Sequence, residues 1–307
     1  SLLDYRSDYR CGWRALHVAS ERLMQILLTG GTGFIGKSLV KRLLQQGHIL
    51  TILSRNPKKA STLFDAPVMV WSSISQWQKN VHFDVVINLA GEPIIDKSWS
   101  TNRKKTLLDS RVGITEQLVL AMQNAHTKPS VFLSGSAIGV YGDCGQTTCQ
   151  QWEQAAHKAE TLGMRVVLLR TGLVLAKHGG MLAKMRLPFS LGLGSQLGNG
   201  QQVMSWIHLD DYIEAVVFLL NCQNCQGAFN MTAPNPVSNQ EFSRELAGSL
   251  KRRVLFSTPE WALKPVLGER SILLFGGQWV IPSKLLSHGF QFRHPKITDA
   301  LKNIEVN

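Results

Sequence analysis

The sequence is short of acid, of paired cysteines and of long apolar runs. Against 33 lysines and arginines stand only 21 aspartates and glutamates, a formal charge of +12. Such an excess attracts polyanions, so nucleic acid has to be weighed as a partner. The basic residues are scattered, however. The densest cluster, Arg103-Lys104-Lys105, falls in an amphipathic helical pattern carried by Leu107, Leu108, Val112, Leu118 and Val119, and reads as a solvated helix face. Nucleic acid is therefore not the expected partner, and the positive charge better serves to attract a phosphorylated cofactor or substrate. The five cysteines (Cys11, Cys144, Cys149, Cys222, Cys225) are odd in number and irregularly spaced, which argues against a disulfide framework and for free thiols. Cys222-Gln-Asn-Cys225 has half of a zinc spacing but meets no second such pair, so no metal is expected. No apolar stretch is long enough to span a bilayer, and the start lacks a signal peptide's hydrophobic region and cleavage site. A cytoplasmic location without a membrane partner is the expectation. Internal repeats and low-complexity tracts are missing too.

What is present is an ordinary globular composition, 44% hydrophobic with 26 glycines, enough for one large α/β domain or a nucleotide domain with a smaller cap. Ser1 to Leu23 show no period, and we read them as an added or upstream extension ahead of a natural start at Met24. From there apolar, β-rich runs recur at Gln25 to Thr29, Ile49 to Leu53, Val68 to Val70, Asp84 to Asn88, Val131 to Ser134 and Val166 to Arg170. Helical segments lie between them, among them Lys37 to Gln46 closed by Gly47, Asn102 to Asn124, and Gln150 to Leu162 closed by Gly163. This alternation predicts an α/β fold, a doubly wound parallel Rossmann sheet over residues 24–175. After about residue 175 it breaks down, and residues 176–307 read as remaining core elements plus a smaller C-terminal cap on the substrate side.

Gly30-Gly31-Thr32-Gly33-Phe34-Ile35-Gly36 follows the first strand and opens the first helix. Its glycines permit a tight turn and close backbone approach, and the helix start offers unpaired N–H groups to a pyrophosphate. The second strand ends in Ser54-Arg55, with Arg55 standing 19 residues past Gly36, where NAD-binding chains carry an acid for the ribose hydroxyls. A hydroxyl beside a guanidinium, with Lys58 and Lys59 close by, suits a 2′-phosphate instead, which predicts NADPH. The fourth strand ends in Asn88-Leu89-Ala90-Gly91-Glu92, small residues that let backbone approach a cofactor.

Together with Ser110-Arg111 and the segments SGSAIGVYGD (Ser134 to Asp143), LLRTGLVL (Leu168 to Leu175), PFSLGLG (Pro188 to Gly194) and WIHLDD (Trp206 to Asp211), these motifs carry a family likeness. From Met24 to its end the chain resembles the atypical, "epimerase family" branch of the extended short-chain dehydrogenases/reductases, with an NAD-dependent epimerase/dehydratase-like core and a small C-terminal domain. The resemblance implies that NADPH is held by the glycine loop (Gly30, Thr32, Gly33, Phe34, Ile35, Gly36), by Ser54 and Arg55, by Leu89, Ala90 and Gly91, and by Arg111. It implies that Arg170, Thr171, Gly172 and Leu173 pass beside the nicotinamide, whereas Trp206, His208 and Asp211 hold the cap to the core. It also implies a longer acidic loop than this chain has between Gly145 and Trp152, a stretch either deleted or left out of the sequence. Superfamily catalysis uses Tyr-x-x-x-Lys, in which the lysine tunes the phenol. Here Tyr5, Tyr9, Tyr141 and Tyr212 are followed four positions on by Tyr9, Trp13, Gly145 and Val216, so the dyad is missing. Ser134, Ser136 and Tyr141 remain as catalytic candidates. Two functions stand: an NADPH-dependent oxidoreductase or epimerase acting on a polar carbonyl or sugar-nucleotide-like substrate, and a non-catalytic NADPH-binding sensor.

Overall fold

The structure, a computed structural model, describes residues 23–142, 146–259, 261–262, 265, 268–271 and 277–306. The reading of the first 23 residues as an extension therefore lies outside the described residues but for Leu23. The described residues begin with a half that holds strands β1 (Gln25–Thr29), β2 (Ile49–Leu53), β3 (Met69–Trp71), β4 (Val85–Asn88), β5 (Val131–Ala137) and β6 (Arg165–Thr171). Between them lie helices α1 (Phe34–Gln45), α2 (Pro57–Ser61), α3 (Thr101–Leu108), α4 (Ile114–Asn124) and α5 (Gln146–His157). The second half adds β7 (Leu173–Leu175), α6 (Gly180–Ser190), β8 (Ser195–Leu197), β9 (Val203–Met204), β10 (Trp206–His208), α7 (Leu209–Asn221) and β11 (Gly227–Met231). β12 (Val237–Ser238), α8 (Asn239–Ser249), β13 (Phe256–Thr258), α9 (Ser283–Ser287) and α10 (Ile297–Val306) follow.

Among the described residues a seven-stranded sheet runs in the order β11-β6-β5-β4-β1-β2-β3, every neighbour parallel. The order reverses between β1 and β4, and that reversal opens a crevice at the carboxyl ends of the two strands. Both faces are covered, which explains why β1 reads as an unbroken apolar run. Ile26 and Leu28 pack with Leu39, Val40 and Leu43 of α1 and with α7, while Leu27 faces the other way onto Leu118 and Met122 of α4 and Ala156 of α5. A third core belongs to the cap, where Leu182, Phe189, Phe242 and Leu246 meet Ala300, Leu301 and Ile304. Each such fully buried leucine contributes about 1.5–3 kcal/mol over its exposed state.

Three particulars differ from the sequence reading. The helix expected over Asn102 to Asn124 is interrupted by a π turn, Asp109–Gly113, between α3 and α4. β11, within the stretch where alternation fails, completes the central sheet beside β6. Cys222 and Cys225, expected as free thiols, form a disulfide with Cα atoms 5.4 Å apart. The turn that ends α7 folds the Cys225 amide back onto the Cys222 carbonyl, which brings the two side chains together. Cys149 is free and buried. No helix among the described residues is long and apolar enough to cross a membrane.

Candidate functional site

The glycine turn lies over the β1/β4 crevice. Gly30 has φ +73°, and a Cβ there would stand 2.4 Å from the Leu89 carbonyl oxygen; at Gly36 it would stand 2.1 Å from that of Gly30. Only glycine lets the turn press against Leu89 and Ala90 in this way. α1 begins with no side-chain cap at Gly33 and no acid in its first turn, so nothing competes with an anionic ligand for its first amides. This cradle fits the pyrophosphate of a dinucleotide. Thr32 and Gly33 stand at the mouth, the Phe34 ring sits against Gly179 and Gly180, and the Ile35 side chain packs into the core, leaving only its backbone for a ligand. Asn88 fixes the floor: its Oδ1 accepts from Thr29 Oγ1 at 2.6 Å and from the Ala90 amide at 3.2 Å, and its Nδ2 donates to Thr115 Oγ1 at 2.8 Å.

Arg55, Gly91 and Arg111 converge on the same edge. Arg111, in the π turn, donates to the carbonyls of Leu107 and Glu92 and lies over the Trp152 ring at 5.6 Å; a Cβ on Gly91 would touch its guanidinium. Arg55 donates from Nη1 to Glu92 Oε1 at 2.6 Å, and Arg103 Nη1 reaches Oε2 at 3.1 Å. Bonds from Arg55 and then from Arg103 hold the Glu92 carboxyl below the usual range despite some burial. Arg103, expected on a solvated helix face, is in fact buried at 9% exposure, because the segment that follows β4 folds over it and offers Glu92 and the Pro93 carbonyl as partners. Ser54 accepts from the Asn56 amide at 3.2 Å and so shapes the turn beside Arg55.

A second network spans the carboxyl ends of β5, β6 and β11. Arg170 binds Glu153 with two bonds of 2.8 Å and donates to Tyr141 Oη at 2.5 Å. Tyr141 donates in turn to Asn230 Oδ1 at 2.9 Å, and Ser136 Oγ donates to Glu153 Oε1 at 2.6 Å. Burial pushes the Glu153 carboxyl up, but the bonds from Arg170 and Ser136 outweigh it and leave it below the ordinary range. Tyr141 and Ser136 are thus brought to one place. Ser134 is not: it is fully buried, and its hydroxyl donates to the Gly135 carbonyl at 3.3 Å. Thr171, Gly172 and Leu173 are held by the surrounding strands. Thr171 Oγ1 shares a hydrogen bond with Tyr212 Oη, and the amides of Gly172 and Leu173 bond to the carbonyls of Met231 and Ser205. Glu153 ties Ser136 to Arg170, yet no motif singles it out in the sequence; its place four residues after Cys149, one helical turn along α5, was the available signal.

Trp206, His208 and Asp211 join cap to core. Asp211 accepts the amides of Arg293 and His294 at 2.8 and 2.9 Å, Trp206 donates to the Asn235 carbonyl, and the rings of His208 and His294 lie 4.1 Å apart. His208, Asp210 and His294 offer ligand atoms within 4.8 Å of one another, but Nδ1 of His208 is already taken by the Asp210 amide at 3.1 Å.

Comparison with known proteins follows the same lines. The model of the NAD dependent epimerase/dehydratase family matches residues 26–161 and 147–231, and a domain of unknown function, DUF1731, matches residues 258–304. The chain is 37% identical over 305 residues to "Epimerase family protein SDR39U1 homolog, chloroplastic" of Arabidopsis thaliana, covering 92% of this chain and 87% of that one. It is 36% identical over 297 residues to "Epimerase family protein SSP1921" of Staphylococcus saprophyticus, covering 91% and 98%. The crystal structure of human epimerase family protein SDR39U1 (isoform 2) with NADPH superposes with a TM-score of 0.82 at 31% identity, covering 92% of this chain and all of that one. The fold and the glycine cradle define an extended short-chain dehydrogenase/reductase architecture. The chain belongs to the NAD dependent epimerase/dehydratase family, with a small C-terminal domain of the DUF1731 type.

Proposed function

We propose that the protein binds NADPH and acts as an oxidoreductase or epimerase on a polar carbonyl or alcohol, with sugar nucleotides the first class to try. The observation that carries this reading is the Tyr141 hydroxyl, held between Arg170 and Asn230 in a side chain 49% exposed, at the carboxyl edge that also carries the glycine turn. The human relative crystallised with NADPH supports the choice of cofactor, as does Arg55 in the place of an acid. Bound there, the dinucleotide supplies a hydride donor or acceptor. The chain's own residues do the rest. Arg170 fixes the Tyr141 oxygen by donating to it, which commits the phenolic proton to Asn230 or, in its place, to a substrate oxygen. Glu153 orients Arg170, and Ser136 commits its hydroxyl proton to Glu153 in this arrangement.

The second reading, a non-catalytic NADPH sensor, is favoured by that commitment of Ser136 and by the glycine at position 145, where the dyad would place lysine. Calorimetric titration with NADPH and NADH, for wild type and Arg55→Ala, tests the cofactor. Tighter NADPH binding that falls to the NADH value in the variant is expected; equal binding in both proteins would refute the 2′-phosphate site. Turnover of a carbonyl and sugar-nucleotide panel, lost in Tyr141→Phe, separates the enzyme from the sensor. The sensor instead predicts no turnover and a partner or shape that changes between NADPH and NADP⁺.

A further inference from the structure

We propose that Glu92 sets the balance between NADPH and NADH by competing with the adenosine 2′-phosphate for Arg55; this rests on the cofactor reading above. The two partners of this ion pair are unlike. Glu92 is fixed: its amide donates to Ser110 Oγ at 3.1 Å, its carbonyl accepts from Arg111 Nη2 at 3.0 Å, and its Oε2 accepts from Arg103 Nη1 at 3.1 Å. Arg55 is an arm: its side chain is 90% exposed, against 17% for Glu92 and 9% for Arg103.

Arg103 decides which bond is permanent. A guanidinium buried to that degree needs a counter-charge, and removing it would leave an uncompensated buried cation. Glu92 therefore remains on Arg103 whether or not cofactor is present. The bond to Arg55 is of the opposite kind, an exposed ion pair that contributes little and is readily exchanged. A phosphate monoester carries close to two charges and accepts a forked pair of N–H bonds, so it takes Arg55 from the carboxylate. It must then sit near an anion that cannot leave. Both the lost pair and the repulsion fall on NADPH alone, because NADH presents a neutral hydroxyl at the same place. Glu92 is thus a specificity-determining residue that restrains NADPH binding, although it stands outside the glycine turn and outside the Ser54-Arg55 corner.

The test is calorimetry with NADPH and NADH on four proteins: wild type, Glu92→Gln, Arg55→Ala and the double variant. Glu92→Gln keeps an oxygen for Arg103 and removes the charge. The Kd for NADPH is expected to fall roughly three- to fivefold at low salt, the size of one exposed ion pair, with NADH unchanged. In the Arg55→Ala background the same substitution should move the ratio of the two Kd values clearly less than it does in wild type, because only the repulsion is left to relieve. Should Glu92→Gln fail to fold, Glu92→Asp withdraws the carboxylate from Arg55 while keeping its charge near Arg103, and the shift should run in the same direction. Weaker NADPH binding in Glu92→Gln, or a ratio that moves equally without Arg55, overturns the proposal while NADPH preference stands. A wild type that binds both cofactors alike, and a Glu92→Gln that does so too, overturns the proposal and the cofactor reading together.

Discussion

Glu153 takes bonds from Ser136 and from two nitrogens of Arg170 on a carboxylate only 7% exposed. Its carboxyl is held below the ordinary value of about 4.3. A lowered folded value means that the stability it contributes is present above the unfolded value and is lost as pH falls through the folded one. Glu153→Gln should therefore cost about 2–3 kcal/mol at neutral pH, the scale of hydrogen bonds to a charged group, and should flatten the acid limb of a melting curve followed against pH. An unchanged acid limb would place the acid-sensitive group elsewhere. Gly36→Ala tests the cradle: with a Cβ placed 2.1 Å from the Gly30 carbonyl, the turn must open, and cofactor affinity should drop at least tenfold in a calorimetric titration. Gly36 could be singled out from sequence because strand, turn and helix signals agree around it. Arg103 could not, because helical periodicity sets it on a polar face and its burial comes from a loop that the periodicity says nothing about.

At the scale of elements, the most consequential departure is the π turn Asp109–Gly113. A π turn is one residue more than an α-helix needs, and here that residue swings Arg111 under Glu92 and over Trp152. Deleting Val112 should heal the helix. Helical content by circular dichroism should hold or rise, while NADPH affinity falls about tenfold or more with the loss of Arg111 from the site; affinity that survives the deletion would remove Arg111 from the cofactor's partners. Five strands of the sheet were legible to within two residues at either end because parallel strands buried on both faces leave continuous apolar runs. β5 was legible only at its start, since Gly135 and Ser136 interrupt the apolar run that Ala137 closes. β11 was illegible for a related reason: Gly-Ala-Phe-Asn-Met carries just two fully buried apolar side chains, Phe229 and Met231.

At the scale of the whole molecule, a fully buried carboxylate is among the groups that tie the last segment to the rest. Asp211, fully buried at the start of α7, accepts two backbone amides from Arg293 and His294, and Ser205 bonds both the Gln278 carbonyl and the Val280 amide. Asp211→Ala leaves two donors without partners and should cost about 2–4 kcal/mol. Limited proteolysis should then cut between residues 277 and 306 first, before the sheet yields; simultaneous loss of both would mean that the segment and the sheet unfold as one.

β11 enters the sheet only after the chain has left β6 and laid down β7, α6 and the short strands that follow. During synthesis the backbone of β6 accordingly stays open along one side from the time Thr171 emerges until Met231 does. An unpaired strand edge of that kind invites pairing with other chains, and closing it late in sequence is slow. The ribosome thus presents a strand with one open border for some sixty residues of elongation, and that interval is when β6 is free to pair with a neighbouring chain.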